Sequence, residues 1–296
     1  MRLEPTWLVI GVATPGGFLP HDLRPQVYDA IRHRIGVISG LHDTVNRDPN
    51  LVSLAARYCV ELVNLRRHGV AEEVPIATAR ARRTQAMRVL TVGTDCNIGK
   101  TTTGLALHAW LARQRLGRKP LRARYVPTGQ DGILITGNGV CIDRHIADFA
   151  GGAVEQLVLA NDRDADVLIV EGQNAILSPP YSGVALSLLH GSCPDAMVLC
   201  HAPARTMFRH TDVPIPPLAE HIRLYEALLK PLHPGRVVAI ALNTANLEPD
   251  QAAAAVARAA QETGLPAADV VREGDAGLDR IGGAVLAARA TGRRRR

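Results

Sequence analysis

Residues 90–103 read LTVGTDCNIGKTTT, and this stretch decides the fold. A short apolar run ends at Gly93-Thr94, the turn-forming segment Asp95-Cys96-Asn97-Ile98-Gly99 follows, and Lys100-Thr101-Thr102 opens a helical pattern. A strand, a glycine-bounded loop and a helix start in that order describe a phosphate cradle. Backbone N–H groups curl around the anion, the helix points its positive end at it, and Lys100 adds a mobile charge. Thr101 supplies a hydroxyl suited to a bound Mg²⁺. Only three lysines (Lys100, Lys119, Lys230) stand among 34 basic residues, so a lysine at this point is not a product of general basicity. Residues 94–102 are therefore expected to bind a nucleotide or nucleotide-like ligand; the plain alternative is a strand-to-helix turn that contains glycine.

Outward from the loop the same alternation continues. Strands are predicted at 88–92, 124–126, 167–170, 196–200, 237–242 and near Val270, and helices at 100–114, about 144–160, 218–229 and 251–263. That pattern predicts an α/β fold of P-loop NTPase type, a mostly parallel sheet with helices on both faces. Upstream, strand 7–12, a helix from Arg24, strand 35–38, a helix opened by Asp48-Pro49 and strand 60–64 form a βαβαβ unit, a partial Rossmann-like domain. Asp48 is a good N-cap and Pro49 a good first helical residue. The irregular, charged stretch 66–85 (RRHGVAEEVPIATARARRTQ) separates the two units. The expected boundaries are 1–75 for the N-terminal domain, 76–86 for a linker, 87–290 for the P-loop domain and 291–296 for a basic tail.

Composition restricts the function classes. At 296 residues and 47% apolar content the chain can bury real cores. No run approaches a membrane span and the start MRLEPTWLVIGV lacks the order of a signal peptide, so a cytoplasmic protein with no membrane partner is expected. The formal charge is +6, but four of those charges are the arginines 293–296, and the rest is nearly balanced. With aromatics at 3% there are few stacking platforms, and no nucleic-acid partner is expected. The five cysteines show no metal-ligand spacing. Cys96, at a helix start, sits where a thiolate is favoured; a small loop filler is the other reading.

Ligands on parallel sheets sit beyond the carboxyl ends of the strands, which points to the residues following each strand. Glu171 ends the run 167–170, where a carboxylate can hold Mg²⁺ or a water, or serve only structure. Thr128, Gln130 and Asp131 follow strand 124–126 on a glycine-flanked loop. Asp143 is either an N-cap for the next helix or a ligand residue, with Arg144 beside it. Tyr181, Ser182 and His190 are further substrate candidates. His201, at the end of strand 196–200, is a candidate general base, against the bland reading of a packed histidine. Arg205 and Arg209 can clamp carboxylates or phosphates. No Gly-x-Ser-x-Gly elbow occurs, which excludes a hydrolase triad of that kind. Asn243 can read an adenine edge or cap a turn.

The loop 93–101 resembles that of dethiobiotin synthetase, as do Val170-Glu171-Gly172 and Asn243, whereas Arg124-Tyr125 replaces that enzyme's Lys-Pro and weighs against its carbamate and acyl-phosphate chemistry. A wider resemblance runs from about Trp7 to Leu286. It is carried by Ala13-Thr14-Pro15-Gly16-Gly17, Ser39-Gly40-Leu41-His42-Asp43, Thr128-Gly129-Gln130-Asp131-Gly132-Ile133, Val170-Glu171-Gly172-Gln173, Tyr181-Ser182-Gly183, His190-Gly191-Ser192 and Val198-Leu199-Cys200-His201. On these motifs the chain is similar to the D-glutamate N-acetyltransferase-like P-loop family. The resemblance implies acetyl transfer from acetyl-CoA to D-glutamate or a related acidic amino acid, with His201 or Glu171 as base, Lys100 at the phosphates, and Arg144, Arg205 or Arg209 on substrate carboxylates. It also implies a longer N-terminal domain, entered here at an inner strand; an exposed sheet edge there predicts a homo-oligomer. The rival expectation is an ATP- and Mg²⁺-dependent ligase or kinase acting on a carboxylated metabolite, favoured by Lys100, Thr101 and Glu171 together.

Overall fold

The computed structural model describes residues 4–12, 14–67 and 74–293. Residues 1–3, Ala13, residues 68–73 of the charged stretch and arginines 294–296 of the basic tail lie outside the described residues. Two compact units form, one from 1–72 with 129–144 and the other from 73–128 with 145–296.

In the first unit, β1 (Trp7–Ile10), α1 (Arg24–Arg32), β2 (Gly36–Ser39), α2 (Pro49–Tyr58) and β3 (Leu62–Asn64) follow the expected βαβαβ order. The strands form a parallel sheet in the order β1-β2-β3, with Trp7 opposite Gly36 and Val37 opposite Leu62. Asp48 caps α2 as its spacing predicts: its carboxylate accepts from the N–H groups of Asn50 at 3.0 Å and Leu51 at 3.3 Å. Val27 and Ile31 of α1 and Leu51 of α2 bury against Val37 in a small core.

The second unit begins with β4 (Met87–Gly93) and α3 (Lys100–Ala112), then a short hairpin β5 (Arg115–Leu116) and β6 (Lys119–Pro120), and β7 (Ala123–Val126). The chain next forms α4 (Gln130–Thr136), which belongs to the first unit, where Ile133 packs with Leu65 and Cys141. The glycine-flanked loop expected at 129–132 is thus the start of a helix. Back in the second unit come α5 (Ala147–Asn161), β8 (Val167–Val170), α6 (Ser182–Ser192), β9 (Ala196–His201), α7 (Leu218–Leu229), β10 (Arg236–Leu242), α8 (Pro249–Thr263), β11 (Ala267–Ala268) and α9 (Asp275–Arg293). Six strands make one parallel sheet in the order β11-β10-β9-β4-β8-β7.

The strands β8 and β9 are almost continuously apolar, and β4 is buried throughout with only Arg88 and Thr91 polar, because the sheet is covered on both faces. On one face Leu107 and Leu111 of α3 and Ile281 and Val285 of α9 pack with Val89, Ile169 and Val198. At about 25 cal/mol per Å² of apolar surface, each such fully buried side chain contributes roughly 2 kcal/mol. α8 begins with a reciprocal capping box between Glu248 and Gln251, which stops the chain from fraying where it leaves β10. Among the described residues no helix is long and apolar enough to cross a membrane.

Candidate functional site

The phosphate loop joins the carboxyl end of β4 to the start of α3, in the middle of the large sheet. Two residues carry the tight reversal, Asn97 with φ 50° and Gly99 with φ 100°. Ile98 turns inward and is buried in the main core, anchoring the loop from below. Cys96 is half-buried, while Asn97 and Thr102 are exposed. Lys100 is buried, and its Nζ donates to the carbonyl of Asp95 at 2.6 Å. Burial lowers its pKa to about 8.

Parallel register brings five candidates to neighbouring strand tips. Thr94 follows β4 and donates its N–H to Cys200 O at 3.1 Å; His201 ends β9, and Asn243 follows β10 and donates its N–H to His201 O at 2.8 Å. On the other flank Glu171 follows β8 and Thr128 follows β7. With strands about 4.8 Å apart, the row from Thr128 to Asn243 spans about 19 Å, enough for a nucleotide-sized ligand.

Side chains in this row are interlocked. Thr101 Oγ1 donates to Glu171 Oε1 at 2.7 Å, and the other carboxylate oxygen accepts from Thr128 N at 2.9 Å. Thr128 Oγ1 donates to the Glu171 carbonyl at 2.7 Å, and Gln173 reaches back to the carbonyl of Thr128. Thr101 and Glu171 are hard oxygen donors and together fit a Mg²⁺ ion. Asn243 uses its Oδ1 to cap a local turn through Ala245 N, and its side chain lies beside Gly99.

His201 Nδ1 lies 2.9 Å from Thr94 Oγ1. Burial, the neighbouring His221 and Arg205 push its pKa down to about 4. Such an imidazole is neutral at physiological pH and only weakly basic, which weighs against the general-base reading. For Cys96, burial and the adjacent Asp95 raise the thiol pKa and outweigh Lys100, Arg209 and Arg205, which favours the loop-filler reading over a thiolate.

Arg205 and Arg209 bear on the loop itself. Arg205 Nη1 donates to Asp95 Oδ2 at 2.9 Å and to Cys96 O at 2.6 Å, and the backbone N–H of Arg209 donates to the same Asp95 oxygen at 2.8 Å. Asp95 is fully buried, so these donors stabilise its charge. Both were expected on a substrate carboxylate; here an internal carboxylate takes the guanidinium of Arg205.

The remaining substrate candidates divide. Tyr181 and Ser182 stand at the start of α6, at the same sheet end as the phosphate loop. His190 is in the last turn of α6, just before β9 begins opposite Val89, which places it at the other end of the sheet. Its Nε2 contacts Leu228 O at 3.1 Å, and this removes it from the site. Gln130 and Asp131 open α4, and Arg144 ends a 3-10 turn, all in the first unit.

One contributor escaped the sequence reading. Tyr225 of α7 is fully buried; its hydroxyl donates to Gly93 O at 2.9 Å and accepts from Ile176 N at 3.1 Å. It pins the start of the phosphate loop to the segment after Glu171. In sequence it is one apolar-face residue of an amphipathic helix, with no motif to mark it.

The P-loop domain of a domain of unknown function, DUF1611_C, matches residues 75–280, and the Rossmann-like domain DUF1611_N matches 1–68. A D-glutamate N-acetyltransferase from Pseudoalteromonas sp is 38% identical over 280 residues, covering 92% of this chain and 80% of that protein. One of the same name from Tritonibacter scottomollicae is 37% identical over 269 residues, covering 90% and 78%. The crystal structure of a DUF1611 family protein from Anabaena variabilis superposes with a TM-score of 0.85 at 39% identity, covering 96% of this chain and 80% of that one.

Proposed function

The chain belongs to the DUF1611 family, and from that premise we propose that it is an N-acetyltransferase moving the acetyl group of acetyl-CoA to the amino group of D-glutamate or a related acidic amino acid. The observation that carries the donor half is the loop of Thr94 to Thr101, with Lys100 buried beneath it. CoA presents an ADP-like pyrophosphate that such a loop can grip as it would a nucleotide. The names of the two bacterial relatives support the acceptor half.

In this reaction the free amine attacks the thioester carbonyl and forms the C–N bond, the C–S bond breaks, and the proton the amine sheds ends on the departing CoA thiolate. His201 orients Thr94 through the 2.9 Å contact and does not take that proton. The residues of the row hold the CoA end of the donor, and bringing amine and thioester together is itself worth several kcal/mol of barrier.

A second reading, an ATP- and Mg²⁺-dependent ligase or kinase acting on a carboxylated metabolite, is favoured by the Thr101–Glu171 pair. Those two side chains would hold the ion, which when bound neutralises phosphate charge. One pair of assays separates the readings. The protein is incubated with acetyl-CoA and a panel of D- and L-amino acids while free thiol is followed, and with ATP-Mg²⁺ and the same panel while phosphate is followed. Thiol release dependent on D-glutamate upholds acyl transfer; phosphate release that needs a carboxylated co-substrate, with no thiol release, replaces it by the second reading.

A further inference from the structure

We propose that the carboxyl edge of the small sheet β1-β2-β3 is a second binding site, built for a small amino acid with an additional carboxylate. Identifying that ligand with the acyl acceptor rests on the acyl-transfer reading above. The phosphate loop does not involve these residues, yet two glycine-bearing segments, 14–17 and 39–43, meet here.

The loops after the three strands are tied together. Asp43 N donates to Gly17 O at 2.9 Å, and Arg66 Nε donates to Gly40 O at 2.8 Å. Gly17 has φ 68°, and a Cβ there would lie 2.5 Å from the His42 ring, so only glycine lets the first loop rest on that histidine. The 3-10 turn Ile142–Arg144 adds Asp143 and Arg144 to the same place. Asp143 is therefore neither the expected cap of α5, which starts at Ala147, nor a surface residue. Its Oδ2 pairs with the Arg66 guanidinium and lies 3.7 Å from His42 Nε2.

The other oxygen carries the argument. Asp143 Oδ1 is buried with no hydrogen-bond partner, and so is Asn64 Oδ1 at the end of β3. A carboxylate oxygen out of water without a donor is costly, and native proteins rarely tolerate one without a role for it. The Asp143 orphan is an acceptor, so its missing partner is a donor, and next to a carboxylate an ammonium group fits best. Arg144 lies close enough for its charge to act on His42, which burial and Arg66 hold in the neutral form. Arg66 is paired with Asp143, so the cluster offers Asp143 to a cation and Arg144 to an anion. It complements an amino dicarboxylate, whose ammonium meets Asp143 and whose carboxylate meets Arg144.

Calorimetric titration of the full chain, without acetyl-CoA, tests this with D-glutamate, L-glutamate and glutarate, which has both carboxylates and no amine. Asp143→Asn is expected to weaken glutamate binding at least tenfold and leave glutarate within threefold; Arg144→Gln is expected to weaken both. Acetyl-CoA affinity should stay unchanged in both variants. Wild-type affinity for glutamate in both variants, or no binding of either glutamate enantiomer to the wild type, overturns the site. Should Asp143→Asn fail to fold, the partly exposed Arg144 carries the test alone. Failure of the acyl-transfer reading looks different: glutamate binds and responds to the two variants, but no thiol is released. Acetyl transfer with an unchanged KM in both variants upholds that reading and removes this site.

Discussion

Arg205 Nη1 lies 2.9 Å from Oδ2 of Asp95, a residue 110 positions earlier whose carboxylate is fully buried inside the phosphate loop. The loop is therefore braced from β9's trailing segment and not only by its own turn. Breaking a buried pair costs about 3–5 kcal/mol, and the partial exposure of Arg205 reduces that to roughly 2 kcal/mol. Arg205→Ala should lose about that much in urea unfolding and bind phosphate ligands more weakly. Arg209→Ala should lose under about 0.5 kcal/mol, since its contact is made by the backbone. Equal losses in the two variants would contradict the brace.

Lys100 links the loop to pH. Its pKa falls from 10.5 to about 8 on folding, so the unfolded chain holds more protons across that window and stability rises with pH between about 8 and 10.5. The gain is on the order of 3 kcal/mol at ~1.4 kcal/mol per pH unit. The stability difference between wild type and Lys100→Met, measured by denaturation, should change by that amount over the window; a flat difference would refute the buried charge. A bound phosphate favours the charged form, so ligand affinity should decline above pH 8. Lys100→Ala should abolish turnover with the fold intact.

The Thr101–Glu171 pair predicts a metal effect separable from folding. In Thr101→Val and Glu171→Gln, enhancement of ADP binding by Mg²⁺ should disappear while metal-free binding stays within about threefold. If Mg²⁺ enhances ADP binding equally in wild type and both variants, the ion is held elsewhere.

His201→Asn should keep kcat/KM within about tenfold of wild type, with an unchanged profile between pH 5 and 8, because the imidazole is already neutral throughout that range. General bases contribute about 10²–10⁴-fold, so a loss of that size with disappearance of the acidic limb would restore His201 to that role.

Much of the fold was legible in local pattern. Strands β8 and β9 show as apolar runs because both faces are covered, and α2 announces itself through Asp48-Pro49. The start of α4, expected as a loop, and α6, for which no helix is predicted, contain Gly132 and Gly183 in helices whose stability comes from packing. Within the site, Lys100, Thr101 and Glu171 were recognisable because strand, loop and helix are contiguous and the carboxylate ends a strand. His190 was misplaced because nearness to a strand in sequence does not say which end of the sheet a residue faces.

The sequence by itself determined what depends on near neighbours: the parallel α/β class, the phosphate loop at Gly93 to Thr101, and the residues at strand tips. Tertiary structure alone decided what those residues face. How basic a histidine is, whether an arginine meets substrate or Asp95, and whether Asp143 caps a helix or pairs with Arg66 depend on burial and on charges brought from distant segments. Desolvation and Coulomb terms act through space, so they come into being only when the chain has folded.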